Sequence, residues 1–214
     1  MRLSDVVPIS TIEAALRRDL SVERIDSTDW RALAARDPIS CHGVGGRAWH
    51  LAVTSPGSAL DPYQLADYFD AQDPALLGAV EEVTGGSALR EFGYLQATVQ
   101  HEGESFVVAT SLVAHLSASE LFWYDILMAN PSAPLARHQR RSPSQEHRGF
   151  GLLGEVVSGV EAAARERGCD TIGIIAAHKP LVAIFRRYGF EVENNAAGRM
   201  GMNMGISIPM SKAV

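Results

Sequence analysis

Apolar residues recur along the chain with two periods, and the change of period separates helices from strands. A helical spacing over residues 9–20 and 30–35 predicts two short helices at the start of the chain. Residues 61–69 and 73–83 each begin at an Asp-Pro pair, which suits an N-cap followed by the first helical position. Four helices are therefore predicted before residue 84.

Four other segments have the β-branched and aromatic composition of strands. The first covers residues 47–54 and follows a glycine-rich turn at 41–46. The others cover residues 92–99, 105–114 and 120–128, with short polar connections between them. Strands joined by short connections form an antiparallel meander.

The last third returns to the helical period. Residues 150–167 carry one apolar face and end at Gly168, a typical stop residue. A buried strand is predicted over 171–177 and a second helix over 180–188. Residues 202–208 alternate apolar and small polar side chains, which predicts a final strand.

Composition narrows the class of protein. With 214 residues, 46% apolar and 21% charged, the chain is typical of one soluble globular domain. A net charge of −6 argues against general nucleic-acid binding. Two cysteines, an N-terminus without an apolar signal stretch, and no apolar run long enough to span a membrane lead us to expect a cytoplasmic protein.

A glycine-containing loop opens the helix at residue 150 and carries the most specific chemical signal. Successive backbone N–H groups and the helix dipole converge there, which is the geometry of an anion site such as one for a pyrophosphate. Gly149 and Gly151 allow close approach of the backbone, and Arg148 supplies a positive charge.

The same run also fits the dinucleotide fingerprint, because Gly149, Gly151 and Gly154 have its spacing. That fingerprint should follow a strand directly and open a series of βαβ units. Here a polar loop and an antiparallel meander precede it. A nicotinamide- or flavin-dependent enzyme is therefore kept as an alternative hypothesis.

Residues 146–190 resemble the acetyl-coenzyme A core of the GNAT superfamily of N-acetyltransferases. In that family a Q/R-x-x-G-x-G/A loop opens a helix, followed by a strand and a second helix that ends in Gly-Phe. This chain has Glu146-x-x-Gly149-x-Gly151 and later Gly189-Phe190. The resemblance implies an α/β (α+β) fold with a mixed, mostly antiparallel seven-stranded sheet flanked by helices. It implies an acyltransferase domain over 47–214, preceded by a helical extension over 1–46.

The resemblance also implies the donor and the residues that bind it. The donor is acetyl-CoA, and the carbonyl of its thioester is held by backbone N–H groups at the end of the strand 120–128. The residues expected to contact the coenzyme are Leu127, Met128, Arg148, Gly149, Phe150, Gly151, Leu152 and His178.

Three positions depart from the family pattern. Glu146 replaces the usual Gln or Arg, so Arg148 carries more of the positive charge. His178 stands where many members have a coenzyme-contacting Asn. Phe185 stands where many members have a Tyr that protonates the departing thiolate, and a phenyl ring has no proton to give.

Transfer to an amine needs a base that takes the proton of the amine. Asp125 lies among apolar residues of the strand 120–128, where burial raises the pKa of a carboxylate. Glu120, at the start of the same strand, is the rival candidate.

The acceptor is expected to be a primary amine of a small molecule, and self-association as a homodimer is left open. Neither nucleic acid nor membrane is expected as a partner. Phe185 and Glu146 also fit an alternative, a non-catalytic acyl-CoA-binding or regulatory module with the same fold. The acceptor itself is not encoded in a motif, since fold-level kinship supplies no substrate.

Overall fold

The structure is a computed structural model that describes residues 1–54, 89–116, 119–140 and 145–214, apart from the side chains of Trp30 and Thr54. The predicted helices at 61–69 and 73–83 lie outside the described residues.

The first described segment holds a short 3-10 turn, three helices and one strand. These are the turn Leu3–Asp5, α1 (Ile9–Leu16), β1 (Ser21–Ser27), α2 (Trp30–Arg36) and α3 (Pro38–Thr54). The later described segments contribute β2 (Leu89–His101), β3 (Glu104–Leu116), β4 (Glu120–Met128), α4 (Leu153–Glu166), β5 (Thr171–His178), α5 (Lys179–Arg186), β6 (Glu191–Val192), α6 (Ala196–Met204) and β7 (Ile206–Ala213).

The seven strands form one sheet in the order β1-β2-β3-β4-β5-β7-β6. Neighbours pair antiparallel except β4 and β5, which run parallel. Helices flank the sheet, so the predicted fold class, a mixed and mostly antiparallel seven-stranded sheet, is confirmed. The predicted meander of β2, β3 and β4 is also confirmed.

Two apolar clusters cover opposite faces of this sheet. One contains Leu121 and Trp123 of β4 together with side chains of α1, α4 and α5, and we call this side the α4 face. The other contains Phe122 and Tyr124 together with side chains of α2 and α3, and we call this side the α3 face. Because successive strand residues point to opposite sides, β4 contributes to both cores.

One long helix replaces the predicted turn at 41–46 and strand at 47–54. Helix α3 runs from Pro38 to Thr54, so both predictions are wrong. Its glycines weaken helix propensity, but apolar side chains such as Val44 and Trp49 are buried against the sheet. Tertiary packing stabilises the helix where local propensity does not. The predicted boundary between residues 46 and 47 falls inside this helix, and the division into domains stays a prediction.

The N-terminal residues also supply an edge strand that the sequence reading missed. Strand β1 pairs antiparallel with β2, and Ile25 is opposite Tyr94. The 3-10 turn packs directly on Gly93, where a Cβ would lie 2.3 Å from the backbone nitrogen of Ser4. The turn Leu3–Asp5 and strand β1 are therefore part of the same sheet and core.

The C-terminal strand begins later than predicted. Residues 196–204 form helix α6, which Asn195 caps by accepting a hydrogen bond from the Gly198 N–H at 2.8 Å. Gly205, with φ of +77°, ends the helix and leads into β7. Only the end of the predicted strand at 202–208 is extended. Within the described residues, no helix combines the length and the apolar character needed to cross a membrane.

Candidate active site

The parallel strands β4 and β5 separate partway along their length. They pair from Glu120 opposite Thr171 to Trp123 opposite Ile174, and no pairing between them continues beyond that position. Strand β4 nevertheless extends to Met128. Beyond Trp123 and Ile174 the two strands are unpaired, which leaves a cleft in the middle of the sheet.

A β-bulge sits at the point where the strands part. Leu112 of β3 is opposite Asp125, and the next residue, Val113, is opposite Trp123, so Tyr124 is the extra residue. Bulges bend a strand and redirect its side chains, and they are frequent beside active sites. Here the bulge directs the Tyr124 ring toward α3.

The predicted anion-binding loop lies beside the end of β4. Arg148 is held through its backbone: its N–H donates to Ala133 O, and its carbonyl accepts from Asn130 N–H, both at 2.9 Å. A Cβ on Gly149 would lie 3.0 Å from the carbonyl oxygen of Met128, so a side chain there would crowd the strand. The structure thus brings residues 148–152 together with Met128.

Within the part of the chain that the structure describes, no N-cap side chain engages the N–H groups at the start of α4. Leu152 occupies the N-cap and makes no side-chain capping bond, and Gly151 adopts φ of +78°, a conformation that favours glycine. The Arg148 side chain is exposed, and within the described ranges it takes part in no hydrogen bond or ion pair. A helix start of this kind is suited to an anion.

Glu146 does not point its charge at the helix start. Its carboxylate is largely solvated and lies 3.8 Å from the partly buried guanidinium of Arg140. The backbone carbonyl of Glu146 accepts from the Leu135 N–H at 2.8 Å, which pins this part of the loop.

The remaining predicted coenzyme contacts surround the same opening. Leu127 is 43% exposed at the free end of β4, while Phe150 and Leu152 pack against the core of the α4 face. His178 ends β5 and serves as the N-cap residue of α5, without a side-chain capping bond. Their contact with a coenzyme stays a prediction.

A cavity of about 590 Å³ opens on the α3 face. It is lined by Pro38, Ile39, His42, Gly43, Gly46, Arg47, His50, Tyr124, Ile175, Ala197, Ser207 and Pro209. Tyr124 and Ile175 directly follow the last paired residues of β4 and β5. The cavity therefore reaches the cleft from the side opposite to the loop at 148–152.

Close packing of α3 on β4 shapes the cavity. A Cβ on Gly43 would lie 2.0 Å from Cε2 and 2.4 Å from the hydroxyl oxygen of Tyr124, so the ring or the helix would have to shift to accommodate it. Only glycine lets the phenol ring approach the helix. Burial raises the pKa of Tyr124, and the charges of Asp125 and Asp37 add to the effect, so the phenol stays protonated at neutral pH.

Asp125 lies next to Tyr124, at the parting of the strands. The Thr110 hydroxyl donates to Asp125 Oδ2 at 3.2 Å. Asp125 is an exposed residue of β4, although protein atoms lie close enough to its carboxylate to displace part of the surrounding water. Burial raises the pKa of Asp125, the Thr110 hydrogen bond opposes that rise, and the charge of Asp37 adds to it.

Glu120, the rival candidate, is buried in a bidentate ion pair. Arg47 Nε and Nη2 donate to its two carboxylate oxygens, each at 2.7 Å, and both side chains are about 95% buried. Gly173 of β5 leaves room for the pair, because a Cβ there would lie 2.6 Å from Glu120 Oε1. Such a carboxylate is well placed to fix α3 on the sheet and poorly placed to accept a proton.

A second carboxylate, which no local sequence pattern indicates, completes this network. Glu193 Oε1 lies 2.7 Å from Arg47 Nη2, and Glu193 Oε2 accepts from Asn195 Nδ2 at 2.8 Å. Burial raises the pKa of Glu193, but hydrogen bonds from His50 and Arg47 and the charge of Arg47 outweigh it and lower the pKa to about 2. Glu193 is therefore ionised at neutral pH.

Phe185 is a core residue. Its ring packs edge-on against Trp123 at 6.2 Å and against Phe190 at 5.8 Å between centroids. It supplies no proton, as the sequence predicted.

The cysteines are unsuited to nucleophilic roles. Both are buried free thiols, and burial, with the charge of Asp37, raises the pKa of Cys41 to about 12. Among the described residues, no group of three or more His, Cys, Asp or Glu side chains is placed to hold a metal ion.

Comparisons with known proteins give distant structural similarity. No sequence model of a protein family matches the chain, and no curated protein matches it. An acetyltransferase from Bacillus cereus ATCC 14579 is 12% identical, with 72% of this chain and 96% of that chain covered and a TM-score of 0.39. A GNAT family acetyltransferase from Elizabethkingia anophelis, with acetyl-CoA bound, is 12% identical, with 75% and 95% covered and a TM-score of 0.37.

Ard1 from Thermoplasma volcanium is 13% identical, with 91% of this chain and 97% of that chain covered and a TM-score of 0.37. The chain is similar to solved structures of GNAT-type acetyltransferases.

Proposed function

We propose that the chain is an acyl-CoA-dependent N-acyltransferase of the GNAT type, which moves an acetyl group from acetyl-CoA to a primary amine of a small molecule. The observation that carries the proposal is the cleft between β4 and β5. An anion-binding loop approaches it from the α4 face, and a cavity approaches it from the α3 face. Donor and acceptor can thus meet where the strands part.

The coenzyme would lie on the α4 face. The N–H groups at the start of α4 and the Arg148 guanidinium would bind its pyrophosphate. The thioester would reach the cleft beside Leu127 and Met128, where β4 is no longer paired with β5 and its backbone N–H groups could polarise a carbonyl.

Asp125 is the better candidate for the base. Its carboxylate is accessible, it lies beside the cavity residue Tyr124, and its raised pKa increases its basicity. Both oxygens of Glu120 are already engaged by Arg47. In the proposed reaction, Asp125 takes a proton from the ammonium form of the acceptor, the neutral nitrogen attacks the thioester carbon, and the carbon–sulfur bond breaks. The nitrogen then releases its second proton to water. Water protonates the departing thiolate, since Phe185 cannot.

The test is acetyl transfer to a panel of primary amines, followed by mass spectrometry of the amide and by release of free coenzyme thiol. We expect equal amounts of the two products, and loss of both in Asp125→Asn. Thiol release without an amide would mean hydrolysis and would contradict the proposed transfer.

A second candidate is a non-catalytic acyl-CoA-binding module, which the core position of Phe185 favours because no Tyr is available there. Saturable acetyl-CoA binding without transfer to any amine would support this alternative. The dinucleotide hypothesis predicts instead that NADH or a flavin binds the loop at 148–154.

A further inference from the structure

Arg47 is a buried cation on the wall of the cavity. Its side chain is only 6% exposed, yet the residue lines the cavity together with His42 and His50 of the same helix. The guanidinium also makes a cation–π contact: Arg47 Cζ lies 5.7 Å from the centroid of the Phe122 ring. The guanidinium therefore sits between the sheet and the cavity, at the end away from the bulge.

One nitrogen of this guanidinium, Nη1, makes no hydrogen bond or ion pair with the described residues. Nε and Nη2 are engaged by Glu120 and Glu193. Among the described residues, no hydrogen bond or ion pair involves Nη1. An arginine presents five N–H donors in a rigid fork, so fixing one edge fixes the direction of the other. Nη1 is thus a preorganised donor at the cavity.

The charge around Arg47 limits what this donor can bind. Two buried carboxylates surround one guanidinium, so the cluster carries a net negative charge. A ligand carboxylate placed there would be repelled by Glu120 and Glu193 at short range and low dielectric. An uncharged oxygen, such as an amide carbonyl, accepts the hydrogen bond without that repulsion.

We infer that the Arg47 end of the cavity recognises an uncharged oxygen acceptor, an amide carbonyl or a hydroxyl, on the non-reacting end of the amine substrate. The inference rests on the proposed function and names the substrate class. Gly43 contacts Tyr124 at the reacting end, and Arg47 lies one helical turn further, on the order of 6 Å along α3. The amine and the oxygen should therefore be separated by several bonds.

The test compares three acceptors of similar length, 4-aminobutanamide, 4-aminobutanoate and pentylamine. We expect kcat/KM for the amide to exceed that for pentylamine by about tenfold, in line with one desolvated hydrogen bond to a charged donor, and the carboxylate to be the poorest of the three. Equal values for the amide and pentylamine, or a preference for the carboxylate, would overturn the inference.

Arg47→Lys keeps a positive charge between the two carboxylates but removes the fork. In that variant the ratio of amide to pentylamine should fall toward one. Arg167→Lys is the matched control, since Arg167 is also paired with a glutamate, Glu91, and does not line the cavity. It should leave the ratio unchanged. A ratio that persists in Arg47→Lys, or falls equally in the control, contradicts the role of Arg47.

A binding measurement separates failure of the inference from failure of the proposed function. Butanamide and butanoate cannot react, so their effect on the Arg47 Nε–Hε signal in NMR needs no turnover. A saturable shift with butanamide and none with butanoate supports recognition even if no amine is acetylated, or if Arg47→Lys does not fold. No shift with butanamide overturns it.

Discussion

At the level of single residues, two carboxylates on one strand have different proposed roles, one catalytic and one structural. Asp125 and Glu120 are five positions apart on β4, which places the bulge between them. Glu120 is held by Arg47 on both oxygens, whereas Asp125 accepts a hydrogen bond from the Thr110 hydroxyl at 3.2 Å and has a raised pKa. Their environments assign them different roles.

Replacing Asp125 by Asn should lower kcat/KM by about 100-fold or more while leaving acetyl-CoA affinity unchanged. The base must be deprotonated, so wild-type kcat/KM should rise with pH and level off above the pKa of Asp125. Because that pKa is raised, the midpoint should lie above the ordinary range of an aspartate. A variant with wild-type rates, or a flat wild-type profile through the acid range, contradicts the assignment.

Replacing Arg148 by Ala should weaken acetyl-CoA binding by about tenfold, the effect of losing one charge-assisted hydrogen bond. Arg186→Ala is a suitable control, because Arg186 is exposed on α5. Its ion pair with Glu191 is long, at 3.7 Å, and solvated. Calorimetric titration of both variants should show weaker binding only in Arg148→Ala. Unchanged affinity in that variant would remove Arg148 from the coenzyme site.

Glu193 should make the free energy of unfolding depend on pH. The pKa of Glu193 is lowered to about 2 in the folded state, so its contribution is complete above the ordinary glutamate pKa and disappears as the pH falls toward 2. The shift corresponds to on the order of 3 kcal/mol. Urea unfolding should show Glu193→Gln less stable than wild type at pH 7, with the difference shrinking below pH 4. A difference independent of pH would contradict the ion pair.

At the scale of elements, the cavity depends on how closely α3 approaches β4. Gly43→Ala should force the helix away from Tyr124 or displace its ring, costing about 1 to 3 kcal/mol of unfolding free energy, as overpacking does. Gly154→Ala is the matched control, since its Cβ would be 3.4 Å from Tyr188, an ordinary contact. Thermal unfolding should show a lower Tm for Gly43→Ala alone, and equal Tm values would contradict the close packing.

Elements were predictable from sequence where local pattern and tertiary packing agree. The amphipathic helix α4, the meander and the stop at Gly168 follow from periodicity alone. Helix α3 does not, because Gly43 and its neighbours look like a turn until the space needed by Tyr124 is known. Strand β1 has only two partly buried apolar residues, Val22 and Ile25, so its alternation is too weak to read.

The site was predictable only where its residues are close together in the sequence. The loop at 148–151 has a fixed spacing that sequence displays directly. The Arg47–Glu120 pair joins residues 73 positions apart, and Glu193 follows β6 far along the chain. No local pattern connects them. Conversely, Met202 and Met204 alternate with small residues and mimic a strand, although the Asn195 cap places them in a helix.

At the scale of the whole molecule, the sheet separates two approaches to one point. The loop before α4 and the cavity under α3 lie on opposite faces, and each lies beside the region where β4 and β5 part. A direct transfer between two bound substrates needs this arrangement, because it holds the reacting atoms together without a covalent enzyme intermediate. The buried, high-pKa thiol of Cys41 is consistent with the absence of such an intermediate.

The most direct test of the central claim is calorimetric titration of the purified protein with acetyl-CoA, with NADH as the parallel titration. The account predicts saturable binding of acetyl-CoA with a stoichiometry of one per chain and no binding of NADH. Binding of NADH alone, or of neither compound, would contradict a coenzyme A site at the start of α4.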